Sequence, residues 1–194
     1  MDESVTPTIA TYESVAEQYC ERHADRTVVE PLLDRFLGGV DGDRVLDVGC
    51  GPGWETETFA QRGYDPIGVD LTPAFLRLAS EQTATGRFVR MDMRQLGVVD
   101  GSIDGLWACA SFLHVPRSDA PATLAEFHRA LRSGPLALTV KRGEGTVAGT
   151  TYDDDTRRFT LYTTDELTDH VTQAGFTVEH VAVEDGWIHC IGCA

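Results

Sequence analysis

A 27-residue stretch, from Arg44 to Asp70, constrains the fold of this chain more than any other part of the sequence. It reads RVLDVGCGPGWETETFAQRGYDPIGVD, which predicts a short apolar strand, a glycine-rich turn, a helix, and a second strand that ends in a carboxylate. The apolar, β-branched first strand is typical of a strand buried on both faces. Gly49, Gly51 and Gly53 follow it at once, and glycine permits positive φ and lets a ligand approach the backbone closely. The stretch therefore predicts half of a nucleotide-type ligand site.

Two carboxylates in this stretch indicate what kind of ligand it binds. Asp70, at the tip of the second strand, can accept hydrogen bonds from both hydroxyls of a ribose. Asp47 lies just before the turn, where a negative charge suits a ligand with a positive group and repels a pyrophosphate. The dinucleotide pattern G-x-G-x-x-G fails because Trp54 stands in place of its third glycine, and the phosphate-binding G-x-x-x-x-G-K-[ST] loop is absent. A glycine-rich turn without a ligand is the alternative interpretation.

Strand-like and helix-like segments alternate along the chain, which predicts a parallel sheet with helices on both faces. The strands are expected at 44–48, 66–70, 87–91, 103–109, 135–141, 176–184 and 187–193, and the helices at 12–23, 27–37, 54–62, 73–84, 119–132 and 164–174. Asp185-Gly186 predicts a hairpin between the last two strands, which makes one strand antiparallel. We therefore expect an α/β fold with a Rossmann-like, doubly wound, seven-stranded sheet, mostly parallel with one antiparallel strand near the C-terminus.

The chain is expected to form a single domain over residues 1–194, since no repeat or linker divides it. In that domain, the N-terminal helices within residues 1–40 are expected to cover a cleft. The polar, Gly- and Asp-rich segment 142–160 is expected to be a loop on the substrate side of that cleft. Ligands of such sheets bind at the carboxyl ends of the strands, near the point where the strand order reverses.

Several segments resemble the class I S-adenosylmethionine (SAM) dependent methyltransferases, and most closely the small type 11/type 25 methyltransferase domains. LDVGCGPG is similar to their motif I, and GVDLTPAFLRLA is similar to the motif after the second strand. Segments 88–96, 102–116, 124–141 and 163–181 resemble the later strands and helices of that family, so the resemblance runs from about Tyr12 to the end of the chain. It implies a methyltransferase with SAM as its cofactor, which transfers the methyl group to an unidentified acceptor by direct in-line displacement.

The resemblance implies a role for each residue of the glycine turn. The turn formed by Gly49, Cys50, Gly51 and Gly53 is expected to wrap the methionine part of SAM. Asp47 is expected to compensate the charge of the methionine ammonium group, directly or through water.

The resemblance also implies an adenosine site at the tips of the second and third strands. Asp70 is expected to bind the ribose diol, and Leu71 and Met93 are expected to sandwich the adenine ring. Asp92 is expected to accept a hydrogen bond from the exocyclic adenine amine. Its alternative role is that of a turn carboxylate that caps the segment around Arg94.

At the fourth strand, the backbone of Ala108 and Cys109 is expected to line the sulfonium pocket. Ala108-Cys109-Ala110-Ser111 lacks the Asn/Asp-Pro-Pro-Tyr tetrapeptide that related enzymes use on the amino groups of nucleobases or glutamine, which favours a small-molecule acceptor. Tyr19 resembles a tyrosine of the family's N-terminal helix that closes over SAM, with simple core packing as the alternative.

His114 follows the fourth strand and is the candidate general base, with a structural role at a loop–helix junction as the alternative. A base is needed only when the acceptor is a poorly ionised hydroxyl or a protonated amine, because much of the acceleration of methyl transfer can come from proximity and orientation. Arg157 and Arg158 follow an acidic run; they can bind an acidic small molecule or neutralise the neighbouring aspartates, and the second role is favoured.

The chain is strongly acidic, with 31 Asp and Glu against 16 Lys and Arg and a formal net charge of −15. Lys141 is its only lysine. This balance opposes long-range attraction to nucleic acids, although a local basic patch is compatible with it. The excess of acid with scarce lysine predicts a surface adapted to high salt, where charge repulsion is screened.

Five cysteines, an odd number, favour free thiols over a disulfide framework. Cys190 and Cys193 are expected to lie on opposite faces of the last strand, which disfavours a shared metal ion, and no metal is expected. No apolar stretch is long enough to span a membrane. We expect a cytoplasmic monomer or homodimer with a small-molecule substrate.

Two other functions are compatible with the sequence. A non-catalytic SAM-binding or regulatory domain would share the same cofactor motifs, because fold does not determine function. An NAD-dependent oxidoreductase would share the sheet, but Trp54 opposes it.

Overall fold

The computed structural model describes residues 5–83 and 86–194 and confirms the expected α/β fold. The helices are α1 (Thr6–His23), α2 (Glu30–Leu37), α3 (Trp54–Gln61), α4 (Pro73–Gln82), α5 (Ala120–Ala130) and α6 (Thr164–Gln173). The strands are β1 (Arg44–Val48), β2 (Asp65–Asp70), β3 (Arg87–Arg90), β4 (Gly105–Cys109), β5 (Pro135–Lys141), β6 (Thr146–Ala148), β7 (Arg158–Thr160), β8 (Thr177–Glu184) and β9 (Trp187–Cys193). Short 3-10 turns are formed by Thr27–Val29, Phe112–His114 and Arg117–Asp119. The expected end of the fourth helix at residue 84 lies outside the described residues.

Seven strands form the main sheet in the order β3-β2-β1-β4-β5-β9-β8. Neighbouring strands from β3 to β5 pair in parallel, whereas β9 is antiparallel to both β5 and β8. The predicted sheet, with its single antiparallel strand near the C-terminus, is therefore confirmed. Strand order reverses between β1 and β4, which places the expected ligand crevice at their carboxyl ends.

The central strands are apolar because helices cover both faces of the sheet. On one face, Phe36 of α2 and Phe59 of α3 pack against Trp107 of β4, and all three side chains are fully buried. On the other face, Phe127 of α5 packs against Phe112. Burial on this scale stabilises the sheet as a rigid platform for groups at its carboxyl edge.

The helix α1 lies at the carboxyl edge of the sheet. Glu13 ties it to α4, because its Oε2 accepts a hydrogen bond of 2.8 Å from the backbone N–H of Ala74. The helix begins at Thr6 rather than at residue 12, and Pro7 in its first turn suits that start. The expectation that both N-terminal helices cover the cleft is wrong for α2, whose apolar face packs on the sheet.

Segment 142–160 contains the hairpin formed by β6 and β7, where the sequence predicts only a loop. The hairpin is held against α1: Thr156 Oγ1 donates to the carbonyl of Pro7 at 2.9 Å, and the N–H of Arg158 donates to Thr8 Oγ1 at 3.2 Å. Strands of three residues carry too little alternation to be recognised in sequence. Among the described residues, no helix combines the length and the apolarity that crossing a membrane requires.

Candidate active site

The glycine turn after β1 is tied directly to β2. The backbone N–H groups of Gly49 and Cys50 both donate to the carbonyl of Val69, at 2.7 and 3.0 Å. Gly49 has a φ of +71°, and a Cβ at this position would collide with the side chain of Ser111. Glycine is therefore required here both by backbone conformation and by space.

A cleft of about 780 Å³, part of it open to solvent, lies beside this turn; we call it the glycine-turn cleft. Of the residues predicted from the sequence, those that line it are Tyr19, Gly49, Gly51, Asp70, Leu71, Asp92, Met93, Cys109 and His114. Residues from the ends of β1, β2 and β4 and from the segment after β3 thus meet in one place, together with residues of α1.

Asp70 presents a carboxylate that is already ordered by the backbone. Its Oδ2 accepts from the N–H of Gly51 at 3.0 Å, and its Oδ1 accepts from the N–H of Thr72 at 2.8 Å. Burial raises the pKa of this carboxyl group, and the hydrogen bonds from Thr72 and Gly51 act in the opposite direction. Each oxygen keeps a lone pair for a further donor, so the group can accept from two hydroxyls of a ligand.

Asp92 lies in the glycine-turn cleft but is also bound to Arg94. Asp92 Oδ2 accepts from Arg94 Nη2 at 2.7 Å, and Asp92 Oδ1 accepts from the backbone N–H of Arg94 at 3.0 Å. Arg94 Nη1 also donates to Asp119, at 3.0 Å. The turn-capping role given above as the alternative is therefore present in the structure, and it is compatible with a further hydrogen bond to a ligand.

The other predicted cofactor residues, Asp47, Cys50, Gly53 and Ala108, do not line the glycine-turn cleft. Asp47 is buried on β1, where its Oδ2 accepts from Thr56 Oγ1 at 2.6 Å. Burial, and secondarily the nearby Glu55, raises the pKa of Asp47.

The remaining three are also directed into the protein. The Cys50 thiol is buried and lies 3.7 Å from the carbonyl of Gly51. Gly53 caps α3 with a φ of +87° and packs tightly against Phe88, and Ala108 is fully buried in β4. Cys50 and Gly53 form part of the turn. Ala108 forms part of β4, where successive side chains alternate between the two faces of the sheet.

Aromatic residues of α1 and α4 close the outer side of the cleft. Tyr12 and Tyr19 lie edge to face with ring centroids 5.6 Å apart, and both contact Phe75. Tyr19 also stacks on Trp54, with ring centroids 5.9 Å apart. Trp54 is the residue that stands where the dinucleotide pattern has its third glycine. The sequence did not predict that Tyr12 and Phe75 line the cleft. Each lies on the apolar face of an amphipathic helix, a pattern that indicates only core packing.

His114 is held in one tautomer by two hydrogen bonds. Its Nδ1 lies 2.9 Å from the carbonyl of Arg158, which can only accept, so Nδ1 carries the proton. Burial, aided by the charges of Arg157 and Lys141, lowers the pKa of His114 to about 4, so the ring is neutral at pH 7. Its Nε2 then accepts from the Tyr12 hydroxyl at 2.9 Å.

Arg157 completes this cluster. It is buried and pairs with Asp155 through a 2.6 Å bond from Nη2 to Oδ2, which agrees with the favoured role of neutralising the acidic run. Its Nη1 donates to the Tyr12 hydroxyl at 3.4 Å, and its guanidinium lies over the rings of Tyr12 and Tyr152. The pKa of Tyr12 is raised to about 12, mainly by burial, so the phenol is protonated.

The five cysteines are free thiols. Within residues 5–83 and 86–194, no three His, Cys, Asp or Glu side chains are grouped as a metal site requires.

Comparison with known proteins supports the resemblance that the motifs predict. Residues 45–134 match the family described as a methyltransferase domain. A malonyl-[acyl-carrier protein] O-methyltransferase of Serratia marcescens is 35% identical over 109 residues, which are 54% of this chain and 42% of that protein. A ubiquinone biosynthesis O-methyltransferase of Acinetobacter baylyi is 31% identical over 121 residues, covering 56% of this chain and 51% of the relative. The chain thus spans about half the length of the curated relatives it matches.

The fold is also shared with solved structures. The crystal structure of Burkholderia thailandensis 1,6-didemethyltoxoflavin-N1-methyltransferase, which has 1,6-didemethyltoxoflavin and S-adenosylhomocysteine bound, superposes with a TM-score of 0.79 at 22% identity. The superposition covers 98% of this chain and 88% of that one. The predicted resemblance to SAM-dependent methyltransferases and the Rossmann-like fold are confirmed, and residues 45–134 carry the match to the methyltransferase domain family.

Proposed function

We propose that this chain is an enzyme that transfers a methyl group from SAM to a small-molecule acceptor by direct in-line displacement. The observation that carries the proposal is Asp70, whose ordered carboxylate faces the glycine-turn cleft next to Gly51. The methyltransferase domain match supports the cofactor, and the O- and N-methyltransferases similar to this chain support a small acceptor. SAM, when bound, supplies a methyl group on a positively charged sulfonium.

The residues of the glycine-turn cleft fit such a cofactor. Gly51 has a φ of +53°, and no atom lies within 4 Å of where its Cβ would be, so this part of the turn borders open space. Asp70 and Asp92 provide acceptors for the ribose and the adenine amine, and Leu71 and Met93 provide apolar faces for the ring. Asp47 is one layer deeper and does not line the cleft; a bound methionine ammonium group would favour its ionised form and so oppose the pKa rise that burial causes.

We assign the backbone around Cys109 to the sulfonium side of the cleft and Tyr19 to its closure. Cys109 ends β4 and lines the cleft, and Thr139 Oγ1 lies 3.4 Å from its Sγ. Ala110 follows with a φ of +51°, which turns the chain at the strand end. A strained backbone at such a position is common at functional sites.

For an acceptor that must lose a proton, His114 receives it through Tyr12. Tyr12 passes its own proton to Nε2 of His114 while it takes the acceptor's proton on Oη, so the phenol is regenerated and the imidazole becomes imidazolium. The Nδ1–H bond to Arg158 fixes the ring during the transfer. This arrangement follows the general logic of a base oriented by a third group.

Isothermal titration with S-adenosylhomocysteine and with NAD⁺ tests the cofactor assignment. We expect saturable one-site binding of S-adenosylhomocysteine and no binding of NAD⁺; the reverse result would make the chain a dehydrogenase. Incubation with methyl-labelled SAM and a small-molecule extract of the source cells then tests turnover. Binding without any labelled product would identify a non-catalytic SAM-binding domain.

We make further proposals about salt adaptation, partners, cellular location, oligomeric state and domain organisation. The charge of −15 with a single lysine is that of a surface adapted to high salt, and it disfavours nucleic acid as a partner. We place the protein in the cytoplasm, as a monomer or homodimer. We also treat residues 1–194 as one domain, with α1 over the cofactor side and segment 142–160 on the substrate side.

A further inference from the structure

A second cavity adjoins the glycine-turn cleft on the far side of Tyr12 and Tyr19. It holds about 1050 Å³ including its open mouth, and we call it the basic cavity. Tyr12, Tyr19, Cys109 and Ala110 line both spaces, so the two meet at the carboxyl end of β4. A molecule in the basic cavity would therefore lie next to the part of the glycine-turn cleft assigned to the sulfonium.

The basic cavity carries a charge opposite to that of the whole chain. Four of the chain's 16 basic residues line it, namely Arg22, Arg26, Lys141 and Arg157. The acidic lining consists of Asp25. In a chain with 31 acidic residues, such a local excess of cations focuses attraction on anionic ligands.

Two of these cations already have carboxylate partners. Arg26 Nε donates to Glu55 at 2.7 Å, and Arg157 pairs with Asp155. Both arginines are thereby fixed in place at the wall of the cavity.

Lys141 differs from them. Within the described ranges 5–83 and 86–194, no carboxylate forms an ion pair with it; its ammonium lies over the ring of Phe159 at 4.1 Å and over that of Trp187 at 5.8 Å. Burial and the charge of Arg157 lower the pKa of Lys141, and the charge of Asp155 acts in the opposite direction. A partly desolvated cation without a counter-ion is costly, and an anionic ligand would remove that cost.

We infer that the methyl acceptor is a small molecule with an anionic group, a carboxylate or a phosphate, and that Lys141 binds this group in the basic cavity. The inference rests on the proposed function, because it places the acceptor beside the cofactor. It adds the chemical class of the acceptor and a residue that recognises it. Arg157 supports Lys141 electrostatically, and the aromatic rings of the wall cover the apolar part of the acceptor.

The test uses the fact that Lys141 is the only lysine. Labelling the protein with ¹³Cε-lysine gives one side-chain signal, which is observed while benzoate, phenyl phosphate or the neutral benzamide is added to protein saturated with S-adenosylhomocysteine. We expect a saturable shift with benzoate or phenyl phosphate and none with benzamide. A shift with benzoate alone identifies a carboxylate acceptor, and a shift with phenyl phosphate alone identifies a phosphate ester.

Calorimetry on variants of Lys141 measures how much this residue contributes to the affinity for the anion. Lys141→Met should weaken binding of the effective anion by about 10-fold or more, whereas Lys141→Arg should keep it within about 3-fold because the positive charge is retained. Arg142→Gln is the matched control, since Arg142 is the next residue, is exposed and lies outside the cavity lining.

Equal binding of benzamide and benzoate, no binding of either anion, or an unchanged affinity in Lys141→Met would overturn the inference. Titration with S-adenosylhomocysteine separates this failure from that of the proposed function. If S-adenosylhomocysteine binds and the anions do not, the inference alone fails; if S-adenosylhomocysteine does not bind, the proposed function fails as well.

Discussion

The glycine-turn cleft and the basic cavity share a wall of two tyrosines but are built in different ways. The first takes its glycine turn and its ordered carboxylate from the contiguous segment between Arg44 and Asp70, and residues of α1, of the start of α4, of the segment after β3 and of the end of β4 complete it. The second is assembled from α1, β5, the β6–β7 hairpin and β9, and its charged groups are mostly cations. A proposed cofactor site that is anchored on one local motif thus adjoins a proposed acceptor site that is made only by packing of remote segments.

The sharpest test of this division is His114, which lines the glycine-turn cleft and which we propose acts on an acceptor in the basic cavity through Tyr12. With a labelled acceptor in hand, His114→Ala should lower turnover by about 100-fold or more, while the affinity for S-adenosylhomocysteine stays within about 3-fold. Tyr12→Phe should cause a similar loss, because it removes the hydroxyl that connects acceptor and imidazole.

The pH profile separates this role from a structural one. Because the pKa of His114 is lowered to about 4, activity should show no His inflection near pH 6.5 and should fall only as the pH drops towards 4. Near-normal turnover of His114→Ala would falsify the catalytic role and leave His114 as a support between α1 and the hairpin.

Asp70→Asn tests the cofactor side by itself. Both carboxylate oxygens of Asp70 accept hydrogen bonds from backbone N–H groups, those of Gly51 and Thr72. The NH₂ group of an asparagine would face one of these N–H donors, and the charge-assisted hydrogen bonds to the ribose would be lost. We expect the affinity for S-adenosylhomocysteine to fall about 30-fold, measured by calorimetry. Asp65→Asn, at the exposed start of the same strand, is the control and should bind normally. An Asp70→Asn variant that binds as tightly as wild type would remove this residue from the site.

A pair of glycine variants separates backbone strain from ligand contact. Gly51 and Gly63 both have positive φ, and both have open space where a Cβ would be, but only Gly51 lines the cleft. Each change to alanine should cost about 1–2 kcal/mol of unfolding free energy, measured by urea denaturation. Only Gly51→Ala should also weaken S-adenosylhomocysteine, by about 10-fold, because its methyl group enters the cleft. Equal binding by the two variants would show that the turn does not contact the cofactor.

Asp155→Asn tests the ion pair that holds Arg157 at the wall of the basic cavity. Hydrogen bonds from Arg157 hold the pKa of Asp155 well below its usual range, so the pair stabilises the fold above the unfolded pKa of about 3.9. The variant should lose about 2 kcal/mol between pH 5 and 8, and the difference should shrink as the pH falls below about 4. A loss that does not depend on pH would show that packing, not charge, is responsible.

Salt should act oppositely on the surface and on the basic cavity. Screening of the −15 charge should raise the melting temperature from low to molar KCl, whereas the same screening should weaken anion binding at Lys141. A melting temperature that is unchanged or falls with KCl would contradict adaptation to high salt.

The glycine turn and the strands on either side of it could be predicted closely because these features are local. β1 occupies the predicted residues, β2 begins one residue earlier than predicted, and α3 ends one residue earlier. A buried strand, a glycine turn and a strand-terminal carboxylate leave a signature within 27 residues. Asp47 on β1 and Cys50 in the turn are buried and do not line the cleft, and the motif itself does not reveal the burial of these side chains; their roles towards the cofactor stay predictions.

The basic cavity could not be predicted in the same way. Tyr12 and Lys141 lie far apart in sequence, and each carries an ordinary pattern where it stands: an aromatic residue on an amphipathic helix and a cation at the end of a strand. The hairpin that brings Arg157 beside Tyr12 was missed because its strands are three residues long.

By itself, the amino-acid sequence determined the sheet, its single antiparallel strand and the acidic strand tip that lines the glycine-turn cleft, because hydrophobic periodicity and glycine placement act over a few residues. Only the tertiary structure decided which tautomer His114 adopts, which cations remain without a carboxylate partner, and where a second molecule fits. Those properties depend on burial and on distances between remote segments, and burial exists only once the chain has packed.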